Sequence, residues 1–182
     1  MRTHTKEITR FLPTNREWDV QMKKSSRVET YWQEYLASLP QDSRLPRSYE
    51  IFHFGDTEKM ADELGDLVRV GVKTATSTLV WELESGEKKF PKVGDIAVVT
   101  DWNGDPLCII ELTEVEVKTF NEIDERFAFD YGERQRTLEW WRTAMWNYYS
   151  ERCRRINREP KQEMPLLCER FRLLHKASTN QD

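Results

Sequence analysis

The spacing of apolar positions divides the chain into helical and extended stretches. Val28, Tyr31, Trp32, Tyr35, Leu36 and Leu39 recur at intervals of three and four, which predicts a helix over 28–39, stopped by Pro40. Residues 41–47 read as a loop with a second proline, Pro46, and 49–54 alternate as a short strand. Gly55-Asp56-Thr57-Glu58 reads as a helix start. Asp56 or Thr57 caps free N–H groups there, and Glu58 suits the positive end of the helix dipole. Ala61, Leu64, Leu67 and Val68 then share one face as far as Gly71, a helix-ending glycine, so 57–70 is predicted helical. Beyond Gly71 the character changes to Thr, Val and Leu, and a strand is predicted over 74–83, followed by a turn at 84–87. Further strands are predicted over 96–100 and 107–117, joined by the hairpin signal Asn103-Gly104. A short helix is predicted over 121–129. Thr137 opens a long one on which Leu138, Trp141, Met145, Tyr148, Tyr149, Arg152 and Ile156 recur, ending near Asn157. A last strand covers 166–174. Residues 1–26 show no clean period and read as a flexible extension, 27–176 as one domain and 177–182 as a polar tail. Short, mostly antiparallel, hairpin-linked strands with helices inserted between them are not the regular alternation of a doubly wound sheet. They point to the α+β class: a small, partly open β-barrel with helices packed around it.

Composition sharpens this picture. In 182 residues, 38% are hydrophobic and 33% charged, and seven Trp, eight Phe and six Tyr supply ample material for a packed core. No stretch is long and apolar enough for a membrane span, and the first residues lack a signal peptide's apolar core. Three widely separated cysteines, Cys108, Cys153 and Cys168, form no C-x-x-C, which argues against a disulfide framework or a cysteine metal site and fits a reducing cytoplasm. The net charge of −4 excludes a uniformly basic coat for nucleic acid, but its distribution is uneven. Residues 1–27 hold seven Lys and Arg against three acids, and the remainder holds twenty-one against twenty-nine. A small basic arm, solvated or partner-binding, precedes an acidic body.

No phosphate-binding glycine loop, zinc-protease motif or nucleophile elbow is present, and His4, His53 and His175 are scattered. The junction Gly71-Val72-Lys73-Thr74-Ala75-Thr76-Ser77-Thr78 is the most informative stretch. Thr74, Thr76 and Thr78 share one face of an extended strand, which is either simply hydroxyl-rich or functional. Lys73 and Thr76 lie on opposite faces of a continuous strand and cooperate only if the chain turns, which Gly71 permits. Lys73 then binds a phosphate or, desolvated, acts as a base toward a Thr hydroxyl. Glu111 lies within the apolar run Ile109-Ile110-Glu111-Leu112. By alternation it shares a face with Ile109, Thr113, Val115 and Val117, as a buried acid or as an edge carboxylate in a salt bridge. Glu133 precedes the long helix, where the dipole also favours a solvated carboxylate. Trp141 falls on that helix's apolar face, while Trp140, off it, is either packed or a stacking surface. Arg152, Arg154, Arg155, Arg158 and Lys161 gather near its C-terminal end, where cations offset the dipole or bind phosphate.

Taken in order, several segments resemble the ASCH-domain branch of the PUA-like superfamily over about residues 28–175. They are Phe54-Gly55-Asp56, Gly71-Val72-Lys73-Thr74-Ala75-Thr76-Ser77, Lys92-Val93-Gly94-Asp95, Pro106-Leu107-Cys108-Ile109-Ile110-Glu111, Gly132-Glu133, Thr137-Leu138-Glu139 with Trp141-Arg142, and Pro165-Leu166-Leu167-Cys168-Glu169-Arg170-Phe171. The resemblance implies a PUA-type barrel with a cleft between barrel and helices, and RNA- or nucleotide-related ligands; the sequence itself calls for no cofactor, metal or membrane partner. Some small relatives are similar to amidohydrolases acting on acylated cytidine; others are reported to cleave RNA. Carried over, their residues become Lys73 as base, Thr76 as nucleophile and Glu133 as supporting carboxylate. Where family members often read Glu-Gly-Glu-Gly, this chain has Tyr131-Gly132-Glu133-Arg134. On this reading Glu111 and Arg142 complete a polar lining, and Trp102 or Trp140 offers a stacking surface. The alternatives are a non-catalytic RNA-binding or regulatory module and a small-molecule sensor.

Overall fold

The computed structural model describes residues 26–40, 48–84 and 90–177. The 41–47 loop and nearly all of the predicted extension, 84–87 turn and polar tail lie outside these residues. In chain order the elements are α1 (Ser26–Ser38), β1 (Glu50–Phe52), α2 (Glu58–Arg69), β2 (Ala75–Leu79), α3 (Val80–Glu84), β3 (Ile96–Thr100) and β4 (Pro106–Thr119). After a single 3-10 turn at Phe120–Glu122 come α4 (Glu125–Asp130), α5 (Leu138–Arg155) and β5 (Pro165–Lys176).

The strands form one sheet in the order β1-β3-β4-β5-β2, parallel between β1 and β3 and antiparallel elsewhere. Register shifts between Val99 and Thr100, Ile109 and Ile110, and Leu112 and Glu114 interrupt the ladders. Such bulges bend and twist a strand, and the five strands curl into a half-barrel with β1 and β2 at its two edges. This is an α+β fold, a partly open barrel of mostly antiparallel strands with helices packed around it.

Two expected elements change on folding. The strand predicted over 74–83 ends at Leu79, because Val80, Glu82 and Leu83 are all buried by turning into α3. The helix predicted over 121–129 is divided by two capping residues. Glu122 accepts from the N–H and hydroxyl of Thr119, and Asp124 accepts from the Phe127 N–H at 2.7 Å.

The sheet's inner face carries Cys108, Ile110, Leu112 and Phe171, closed at one end by Leu64 and Val68 of α2 and by Phe52 and Phe54. Gly65 lets α2 come close: a Cβ there would lie 2.5 Å from Leu107 Cδ1. The outer face is covered twice. Helices α4 and α5 bury Phe127, Trp141 and Tyr149 against Ala75, Leu79, Leu166 and Cys168. Helix α1 lays Val28, Tyr31, Trp32 and Tyr35 over Ile96, Val98 and Ile109. Each fully buried large apolar side chain contributes about 1.5–3 kcal/mol.

Candidate functional site

The path of the backbone brings Lys73 and Glu133 together. At the end of α2, Gly71 takes φ +77°, and the Val72 and Lys73 N–H groups both donate to Leu67 O, at 2.9 and 3.0 Å. Lys73 therefore lies in the bend before β2. Next, the Thr74 N–H donates to Asp130 O at 2.8 Å and fastens the end of α4 to the start of β2. Gly132, also at φ +77°, then passes over the bend: a Cβ on it would lie 2.4 Å from Lys73 Cα and 2.5 Å from Val72 O. Only glycine allows that approach in that conformation, and it returns Glu133 to the side of Lys73.

The Lys73 side chain is 0% exposed. Its ammonium donates to Glu133 Oε1 at 2.9 Å and to Tyr131 O at 3.3 Å. It also lies 3.7 Å from the Tyr131 ring centroid and 5.3 Å from that of Phe54. A carboxylate, a carbonyl and two π faces replace the water that a buried ammonium loses. Glu133, at 13% exposure, is the member of the pair that reaches solvent. Its turn is tight: Arg134 and Arg136 hold φ +47° and +58°, which costs a non-glycine residue about 1–2 kcal/mol. The Arg136 N–H donates to Glu133 O at 3.0 Å and its Nε to Phe129 O at 3.0 Å, while Arg134 pairs with Glu63 at 3.5 Å.

Thr76, fully buried in β2, pairs across the ladder with Glu169 of β5, which is also 0% exposed. In β5, Glu169 and Phe171 are two residues apart and Phe171 opposes Leu112, so Thr76 and Glu169 share the inner face. The Phe54 ring beside the ammonium packs on Phe171 with centroids 6.1 Å apart.

Farther along β2 is a second charged cluster. Arg152 of α5 reaches Asp56, just beyond β1, at 3.0 Å and Glu82, in α3, at 3.3 Å, thereby joining the ends of the two edge strands. Burial works against this guanidinium's charge, but Tyr148, Glu82 and Asp56 outweigh it and hold its pKa above the usual arginine value. A small cleft opens here, lined by Ser77, Thr78, Glu82, Tyr148 and Arg152. The Tyr149 hydroxyl donates to Ser77 O at 2.9 Å and closes its floor.

The other candidate residues are dispersed. Glu111 pairs with Arg172 at 2.7 Å on the outer face, away from Thr76. The bulge between Leu112 and Glu114 explains this, because it moves Val115 to the opposite face from Glu111 and breaks the expected alternation. Trp140 packs against the α5 core, and Arg142 donates to Ile123 O at 3.5 Å. Trp102 stands 36% exposed beside the His53 ring, at 5.2 Å. Sequence reasoning passed over Phe54, Tyr131, Glu169 and the Asp56–Glu82–Arg152 cluster. Arg152 alone left a signal, a cation on the apolar stripe of its helix. Among the described residues no three His, Cys, Asp or Glu side chains are grouped to hold a metal, and no helix is long and apolar enough to cross a membrane.

Residues 50–175, which contain every part of this site, match the family model for the ASCH domain. The chain belongs to the ASCH domain family. Two crystal structures extend the likeness beyond sequence. The ASCH domain from Lactobacillus crispatus JV V101 is 30% identical with a TM-score of 0.79, the match covering 85% of this chain and 98% of that one. Protein EF3133 from Enterococcus faecalis V583 is 28% identical with a TM-score of 0.72, covering 82% and 89%. No functionally curated protein matches this ASCH protein.

Proposed function

We propose that this ASCH protein binds a modified nucleoside or nucleotide beside Lys73 and hydrolyses an acyl amide or ester on it, with an N4-acylcytidine as the type substrate. The observation that carries the reading is the fully buried Lys73 ammonium held at 2.9 Å by Glu133. A protein spends free energy to desolvate a charge, and such expense is characteristic of sites that act on charge developing in a ligand. Lys73 supplies the positive charge that stabilises an oxyanion, Glu133 holds and orients it, and Thr76 supplies the attacking oxygen. Burial favours a small ligand. Binding a phosphodiester backbone requires cations on the surface, and Lys73 presents none of its area there.

Turnover of N4-acetylcytidine by the purified protein, followed by chromatography of released cytidine, tests the reading. Lys73→Ala and Thr76→Ala are expected to lose at least about a hundredfold in kcat/KM. Undiminished turnover in both variants removes these residues from the chemistry. Binding without turnover in the unaltered protein replaces the hydrolase with a non-catalytic binding module.

A further inference from the structure

The last stretch of β4 has a strand on one side only. On one side it pairs with β5 all the way to Thr119. On the other, β3 reaches only to Glu111, after which the Gly94 N–H donates to Leu112 O and the Leu112 N–H to Asp95 O, both at 2.9 Å. The chain enters β3 there through a tight turn, in which the Asp95 N–H donates to Lys92 O at 3.0 Å. Among the described residues no strand lies along this side of β4 beyond Leu112.

The registers determine which backbone groups this open side shows. In an antiparallel pair, opposed residues turn their N–H and C=O groups either both toward each other or both away. The Phe171 N–H donates to Thr74 O, so Phe171 turns away from β4, and its partner Leu112 turns away from β5. In steps of two along β5, Glu169, Leu167 and Pro165 do the same, so their partners Val115, Val117 and Thr119 turn their backbone groups to the open side. Thr119 bears this out, since its N–H donates outward to Glu122 Oε2 at 2.8 Å. Val115 and Val117 thus present their N–H and C=O groups along an open edge, where the Val117 side chain is 58% exposed. The edge strand β2 is stopped up instead, its outward Ser77 C=O accepting from the Tyr149 hydroxyl at 2.9 Å.

We infer that this edge pairs with the same edge of a second copy of the chain, antiparallel and centred on Val117. Main-chain bonds supply the attraction, and the two-fold arrangement closes at a dimer. The charges select the register. Centred on Val115, Glu114 opposes Glu116 of the other copy; centred on Glu116, that carboxylate opposes its own counterpart. Centred on Val117, Glu116 opposes Lys118 of the other copy on both sides of the axis, and the two exposed valines meet between them. The two Val117 residues then exchange both their bonds, and each Val115 N–H meets Thr119 O of the other copy. Within one strand Lys118 already lies 2.7 Å from Glu116. Two such pairs set side by side in opposite directions make a ring of alternating charge. Edges that stay single are commonly blunted by charges that repel a copy, whereas these charges match one.

Sedimentation equilibrium of the full chain tests the pairing. Between about 5 µM and about 500 µM the protein is expected to pass reversibly from monomer to dimer, as suits so small an interface. Over the same range, hydrogen exchange at the Val115 and Val117 amides is expected to slow, while that at Glu116, which faces β5, stays unchanged. Val117→Pro removes the central donor and leaves the β5 ladder intact, so it should keep a cooperative melt and raise the dimer's dissociation constant at least about tenfold. Should that variant not fold, charge reversal serves. Glu116→Lys sets like charges against Lys118 of the other copy and is expected to weaken the dimer about fivefold or more. Adding Lys118→Glu restores opposite signs and with them the wild-type association, a rescue that a mere loss of structure would not show. A wild-type monomer at every concentration, assembly beyond a dimer, undiminished association in a folded single variant, or a double variant no tighter than Glu116→Lys overturns the inference.

Discussion

Lys73 and Glu133 form a buried pair whose members contribute unequally. Removing the carboxylate leaves an enclosed ammonium with only Tyr131 O and two rings, whereas removing the ammonium leaves a carboxylate that already touches water. Glu133→Ala is therefore expected to cost about 3–5 kcal/mol. Lys73→Met, which fills the same space between Phe54 and Tyr131 with apolar atoms, should cost clearly less. Urea unfolding of the two variants measures the difference, and equal losses would mean that the pair is not enclosed as described. Lys73 was legible in the sequence because a glycine two residues upstream announced a bend. Glu169 was not, since its burial depends on the register of β5 against β2, and the alternation around Glu111 gave no sign of the bulge at Thr113.

Among the elements, the periodic helices were the most readable. The stripes on α1, α2 and α5 predicted their positions to within about two residues, and Thr57 and Thr137 cap α2 and α5. The junctions were less so, because what stops β2 at Leu79 is Glu82 turning toward Arg152, a contact seventy residues distant. The crossing of Gly132 over Lys73 is another such junction. Gly132→Ala places a methyl into the Val72–Lys73 backbone at a φ of +77°. We expect a loss of about 3 kcal/mol or more in thermal or urea unfolding, together with displacement of Glu133. A Gly71→Ala variant meets nothing within 4 Å and suffers only the strained φ. It should therefore be the milder change, and the reverse order would show that 132 does not rest on Lys73.

For the whole molecule, the three cysteines are free and buried in the two faces of the sheet and under α5. Burial pushes the Cys108 thiol up to about 12, slightly countered by Arg69, and the Cys168 thiol up to about 12, countered by Lys118. In the unfolded chain such thiols titrate near about 8.5. Between these values the unfolded state releases protons that the folded state keeps, so unfolding is favoured as pH rises. Stability is complete below the unfolded pKa and falls above it by up to about 1.4 kcal/mol per pH unit for each thiol. Unfolding free energies measured from about pH 7 to about pH 10.5 should show this decline. The double variant Cys108→Ala/Cys168→Ala should show a shallower one, even from a lower plateau, and an unchanged slope would place the thiols in contact with water. The sequence pointed to unpaired cysteines through their odd number and wide spacing. Their depth in the sheet follows from the curl of the half-barrel, which no local pattern encodes.

Helix α1 lies entirely ahead of the segment that defines the family match, yet it roofs Ile96, Val98 and Ile109 with four of its own large side chains. A chain trimmed to begin at residue 50 would keep every group around Lys73 and lose that roof. It would then carry a bare greasy panel on the central strands, which water penalises and a second molecule could cover. The chemistry would survive on paper, while the shortened protein clumped.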